Sequence, residues 1–135
     1  MKGFTLIEMM VTLAIIAIVS SIAYPNFMAS IRKGRRADAG DAAANVMQAQ
    51  ERWRANNATY TTTLGNLGIS SSTTGNGYYT MALSIGAGQT ASTGYTITFT
   101  PVASKGQNND TGCTAMSVTV TATNPVYAPA TCWSR

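Results

Sequence analysis

Histidine is missing from this chain, cysteine occurs twice, and charge is scarce. Without histidine there is no side chain whose ordinary pKa lies near neutrality, which removes the commonest general base and the commonest metal ligand. The five acids are scattered, and no two sit at a spacing that suits acid–base work. Gly86-Ala87-Gly88 lacks the rest of a phosphate-loop fingerprint and a following helix. Asn108-Asn109-Asp110 offers a single carboxylate among amides, which is poor for Ca²⁺ and ordinary for a turn. The expectation is therefore no enzyme, no cofactor and no metal. Charged residues make up 10% of the chain, against about 25% in typical soluble domains. Thr, Ser, Ala, Asn and Gly take their place, a composition suited to packing against other copies.

Apolar length is what the chain does have. Residues 9 to 31 carry no charged side chain, enough to cross a ~30 Å hydrocarbon core as a helix of about 20 residues. Glu8 stands at the mouth of that run. A carboxylate there is disfavoured, by roughly 2.5–3.5 kcal/mol at mid-membrane and less near the interface. It therefore calls for a partner. A secretory signal peptide, cut after Ser21-Ile22-Ala23, is the plain alternative. The acid at the head of the run and the run's length, beyond the usual ~7–15 residues, argue against it. A plain one-span anchor leaves Glu8 unexplained.

Met1-Lys2-Gly3-Phe4-Thr5-Leu6-Ile7-Glu8, followed by this run, resembles the class III signal of type IV prepilins and related pseudopilins. The resemblance rests on a short basic leader, Gly3 before the cut, an aromatic Phe4 after it, and Glu8 at the fifth mature position. It implies that a membrane peptidase cleaves between Gly3 and Phe4 and N-methylates Phe4, and that the apolar segment is retained. It also implies that Glu8 pairs with the N-terminal amine, on Phe4, of a neighbouring subunit during assembly. Opposite charges in low dielectric attract strongly and relieve each other's burial.

The net charge of +4 is local. Residues 37 to 135 balance Arg52, Arg54, Lys105 and Arg135 against Asp38, Asp41, Glu51 and Asp110. The surplus lies in Arg32, Lys33, Arg35 and Arg36, just past the span, where contact with lipid head groups or DNA is expected. The positive-inside rule would put that cluster in the cytoplasm. The leader and the cysteines put the following domain outside it. Cys113 and Cys132, an even pair in a small polar domain, suggest a disulfide, closing a ring of about 20 residues and contributing roughly 3 kcal/mol. The pilin resemblance also implies such a C-terminal loop.

Along the chain, the expected order is a leader at 1–3, a membrane or filament-core helix at 4–31, and a periplasmic or extracellular globular domain at 32–135. Ala39, Ala42, Ala43, Val46, Ala49, Gln50 and Trp53 recur at three-and-four spacing, so the helix should continue to about 56 with Asn56-Asn57 as its stop. Pro25 removes one N–H and clashes with the Ser21 carbonyl, so a kink is expected there. The resemblance adds that this stretch unwinds in filaments. A connecting segment at 57–77 is anchored by Leu64, Leu67 and Ile69. Tyr79/Met81/Leu83/Ile85, Tyr95/Ile97/Phe99 and Met116/Val118/Val120 alternate with mostly Thr and Ser, which predicts an antiparallel sheet over 78–121 with one face on the helix. Gly86-Ala87-Gly88 and Lys105 to Gly112 read as turns, and Pro125 and Pro129 make the tail, within a disulfide-bounded stretch at 113–132, irregular. The fold class is α+β: the pilin fold, a long N-terminal helix on a three- to four-stranded antiparallel sheet with a C-terminal disulfide loop.

The function expected is a structural subunit of a type IV pilus, a minor rather than a major pilin, serving biogenesis, twitching motility or adhesion. Residues 35–39 and 48–52 and the closing Thr131-Cys132-Trp133 resemble type IVa minor pilins. Its partners would be other pilin subunits, the inner membrane, the prepilin peptidase and the assembly machinery. Two other classes stay in view. A DNA-binding minor pilin for DNA uptake would need Arg52, Arg54, Lys105, Arg135 and Trp133 to converge, and the domain's neutral sum argues against it. A type II secretion pseudopilin is opposed by the disulfide and the missing acidic calcium loop.

Overall fold

A computed structural model describes residues 3–121 and 124–133. The chain divides into two compact units, Met1–Arg32 and Lys33–Arg135. One helix, α1, spans Leu6–Arg54, within two residues of the expected limits at each end. Thr5 opens it, its hydroxyl accepting the Glu8 N–H at 3.3 Å, as an N-cap does. Asn57 helps close it by donating its side-chain amide to the Trp53 carbonyl at 2.9 Å.

In the first unit, apolar side chains such as Leu6, Ile16, Ile22 and Phe27 are all exposed. Among the described residues this is the one helix long and apolar enough to cross a membrane. A helix apolar all round needs lipid or other helices. The assignment runs through Pro25 unbroken, with Ser21 to Tyr24 helical. The Asn26 side-chain amide donates to the Ile22 carbonyl at 3.2 Å just beside the bond that the proline forgoes.

The second unit sets the C-terminal part of α1 beside a four-stranded antiparallel sheet of order β1-β2-β3-β4: Tyr79–Ser84, Gly94–Pro101, Met116–Thr121 and Pro125–Ala128. The register places Met81 opposite Phe99, Ile97 opposite Val118 and Phe99 opposite Met116. These residues, with Tyr79 and Tyr95, join Ala39, Ala42, Ala43 and Val46 in one core. The alternation read from the sequence is the one observed, with the Thr and Ser positions on the other face. Leu64, Leu67 and Ile69 pack against the core from the connecting segment, as expected.

Two expectations need correction. The tail is not irregular throughout: Val120 to Ser117 pair with Pro125 to Ala128. Proline cannot donate to a ladder, but an edge strand leaves one side of its backbone unpaired, and both prolines sit at its ends. Trp53 does not complete the helix's core face. It is half-buried, and its indole N–H donates to the Thr59 carbonyl at 3.1 Å. Gln50 is the fully buried residue there, exchanging two hydrogen bonds with the Thr61 backbone, at 2.6 and 3.2 Å. The predicted disulfide joins Cys113 to Cys132.

Candidate functional site

Three regions bear on function: the start of α1, the basic residues at 32–36 with the acids they meet, and the exposed charges further along the helix. At the start, Gly3 and Phe4 precede the helix and are exposed. Glu8 lies in the first turn, where a carboxylate is favoured by the helix dipole. Its carboxylate has no partner among the described residues, so the single chain leaves it available.

The basic cluster splits. Lys33 is exposed and Arg32 is half-buried. Arg35 lays its guanidinium 4.7 Å from the centroid of the Tyr78 ring and donates to the Lys105 carbonyl at 2.9 Å. Arg36 turns inward. Its Nε and Nη2 donate to the two carboxylate oxygens of Asp110 at 2.7 and 2.8 Å, and Nη1 reaches the Thr131 carbonyl at 3.4 Å. The hydrogen bond to Asp110, with its charge, raises the arginine pKa further against the opposing effect of burial. Arg36 is thus withdrawn from the lipid or DNA contact expected of the whole cluster, because a planar fork facing a carboxylate makes a two-point pair.

Sequence reasoning missed this pair and its neighbours. Gln107 is buried and donates its amide to the Tyr79 hydroxyl at 2.8 Å and to Asp110 at 3.1 Å. Burial holds the Tyr79 phenol above its ordinary pKa, against the hydrogen bond from Gln107. Asp38 is buried and forms no salt bridge among the described residues. Its carboxylate accepts the Thr74 hydroxyl, the backbone N–H of Asn76 at 2.9 Å and of Tyr78 at 3.2 Å, and the Asn76 side-chain amide at 3.2 Å. One signal was available: Asp38 directly precedes Ala39 and lies four residues before Ala42, on the face read as core.

The two buried acids change the charge seen from outside. With Asp38 and Asp110 internal and Arg36 paired, the exposed or half-exposed charges of residues 33–133 are Lys33, Arg35, Arg52, Arg54 and Lys105 against Asp41 and Glu51. That surface carries +3, of which Lys33 and Arg35, outside the neutral sum, supply +2. Those cations do not converge on one point. Lys105 lies beside Arg35, and Arg52 is about 25 Å further along the helix, at 1.5 Å per residue. Arg54 sits 4.7 Å from the centroid of the Tyr60 ring and donates to the Ala58 carbonyl. Trp133 packs edge-on against Phe99 and Tyr127, with centroids 5.8 and 5.1 Å away, and Arg135 lies outside the described residues.

Asn108-Asn109-Asp110 forms a short 3-10 turn and the carboxylate that meets Arg36, consistent with the turn reading. No group of three or more His, Cys, Asp or Glu able to hold a metal occurs among the described residues.

Residues 25–117 match a family model described as type IV minor pilin ComP, DNA uptake sequence receptor. Residues 1–24 match the prokaryotic N-terminal methylation motif. No curated protein matches the chain.

Proposed function

The chain belongs to the family of type IV minor pilins described by ComP, and from that premise we propose that it enters a filament through α1 and presents its domain to DNA. Pilin families are structural and non-enzymatic, and the methylation motif with the apolar helix fits inner-membrane anchoring before assembly. On this reading the peptidase cuts between Gly3 and Phe4, and residues 4–31 serve first as the membrane span and then in the filament core. Glu8 pairs with the Phe4 amine of a neighbour, and Pro25 marks where α1 yields during packing. The domain from 32 onward stays in the periplasm and then outside the cell.

The observation that carries the assembly reading is an unpartnered Glu8 at the head of an apolar stretch of α1 that is exposed from Leu6 to Phe27. Glu8→Gln keeps size and hydrogen bonding but removes the charge. In cells that process the leader, the variant should persist in the membrane and fail to enter filaments. Equal piliation would reject the pairing.

The DNA reading is favoured by the surface charge of +3 that Lys33, Arg35, Arg52, Arg54 and Lys105 make against Asp41 and Glu51. Lys33, Arg52 and Lys105 are its exposed members. Counterion release makes such binding fall with salt, with a slope of about 0.9 per phosphate neutralised on duplex DNA. Retention of the full-length protein on a duplex should weaken with salt, and Lys33→Gln and Lys105→Gln should each reduce the slope by about 0.9. Retention that ignores salt, or none at all, leaves the filament role standing and removes the DNA role.

A further inference from the structure

A groove of about 710 Å³ runs beside the C-terminal part of α1, between the helix and the segment 67–76. Val46, Ala49 and Met81 are among its lining, each almost fully buried, and Asn45, Ser71, Thr73 and Asn76 give it a mostly polar surface. One wall is a strand edge. Met81 donates its N–H to Ser72 O at 2.7 Å, Thr74 donates to Tyr79 O at 2.9 Å, and Thr73 bridges to Thr80. In an antiparallel pair of this kind the N–H and C=O of the intervening residue, Thr73, point away from β1. The Thr73 N–H is bonded to the Ser71 hydroxyl at 3.0 Å. Its carbonyl has no backbone partner among the described residues, nor do the Ser71 backbone groups. Two unpartnered charges on α1 flank the groove: Asp41 and Arg52, both exposed, about 16 Å apart at 1.5 Å per residue.

We propose that this groove binds an extended peptide of another protein, about five residues long. The peptide adds as a strand along Ser71–Thr73, with a basic side chain against Asp41 and an acidic one against Arg52. Strand addition draws affinity from main-chain hydrogen bonds and specificity from alternate side chains. An extended peptide rises about 3.3 Å per residue, so its first and fifth residues lie about 13 Å apart and their long side chains reach the remaining distance to the two charges. Nucleic acid is the poorer occupant, because Asp38 and Asp41 both line the groove against the single cation Arg52, and two carboxylates repel a phosphate backbone. A second copy of this chain is excluded by its own sequence. Outside α1, the one acid and base within ten residues of each other are Lys105 and Asp110, and Asp110 is paired with Arg36.

The test uses the full-length protein in detergent micelles and two blocked probes, acetyl-Lys-Val-Thr-Val-Glu-amide and its reversed sequence. One order should bind about tenfold more tightly than the other, the sum expected of two modest exposed ion pairs. The amide signals of Ser71 and Thr73 should shift on titration. The exchange Asp41→Lys with Arg52→Glu should invert the preferred order, and Asp41→Asn or Arg52→Gln alone should reduce the preference to about threefold. Both positions are exposed, so unchanged thermal unfolding serves as the folding control. Binding of neither peptide, equal binding of both, or a preference that survives the exchange overturns the proposal. So does a larger shift of the same amides by a twelve-base-pair duplex or a neutral dextran oligosaccharide.

Discussion

Arg36 and Asp110 meet across 74 residues of sequence in a two-point ion pair, at 2.7 and 2.8 Å, with the two side chains 14% and 6% exposed. This contact fixes the early domain part of α1 to the loop ahead of the disulfide. Removing one partner of a buried pair strands the other's charge, which typically costs about 3–5 kcal/mol. Arg36→Ala should therefore lower the domain's stability by about 3 kcal/mol in thermal or denaturant unfolding. The pair Arg36→Met with Asp110→Leu should recover most of that loss. A double variant as unstable as the sum of the singles would mean that the two residues act independently.

Asp38 carries a different kind of connection. Its carboxylate gathers two backbone N–H groups, a hydroxyl and an amide, all from residues 74–78. Asp38→Ala leaves buried donors unpaired and should cost about 3 kcal/mol, and Asp38→Asn, which keeps one acceptor, about half of that. Hydrogen exchange of the Asn76 and Tyr78 amides should accelerate in both. Unchanged protection there would show that the carboxylate does not hold the loop.

Tyr95 is fully buried, and its hydroxyl has no hydrogen-bond partner among the described residues. Burial holds its pKa well above the usual phenol value, and that of Tyr79 is also raised. A phenol whose folded pKa is raised stays neutral while its unfolded counterpart ionises, so the unfolded state binds fewer protons above the ordinary value of 10.0. The stability is fully present below pH 10 and falls as pH rises above it, by up to about 1.4 kcal/mol per pH unit for each tyrosine. Tyr95→Phe removes an unsatisfied hydroxyl and should leave stability at pH 7 unchanged or higher by about 1 kcal/mol. It should also lessen the alkaline slope. A slope that Tyr95→Phe does not touch would place the alkaline transition elsewhere.

Gly94 begins β2 where the chain passes close to β3. A Cβ there would lie 2.2 Å from the Val120 carbonyl oxygen and 2.6 Å from the Gln89 amide nitrogen. Backbone cannot yield as a flexible side chain can, so Gly94→Ala should cost about 1–3 kcal/mol as an overpacked site. Gly88→Ala meets no atom but forces a left-handed residue, at φ +76°, and should cost about 1 kcal/mol. If the two costs come out in the reverse order, crowding is not what keeps glycine at 94.

Much of this architecture is legible before any coordinates. The three-and-four spacing of Ala39, Ala42, Val46 and Ala49 and the period of two in Tyr95, Ile97 and Phe99 are local signals. They report burial directly, because a helix or strand must turn its apolar residues one way. The methylation signal is likewise contiguous. What escapes reading are features made by distant residues. Nothing near Arg36 announces Asp110, and nothing near Asp38 announces Thr74 and Asn76. Charge summed over residues 37–135 is zero, while the exposed and half-exposed charge of the described residues 37–133 is +1. β4 escapes because proline is a poor strand former in general and acceptable at an edge in particular, and edge status is a property of the assembled sheet.

No strand of the sheet contains Asp, Glu, Lys or Arg. Below the tyrosine range the sheet is therefore blind to pH and offers salt no side-chain charge to screen. Every electrostatic handle on the domain sits on α1 or on a loop. A shift in acidity or salinity would alter what the helix flank attracts without acting on any charge in the strands themselves. The surface chemistry of such a domain can thus be retuned, residue by residue on the helix, against a sheet that does not respond.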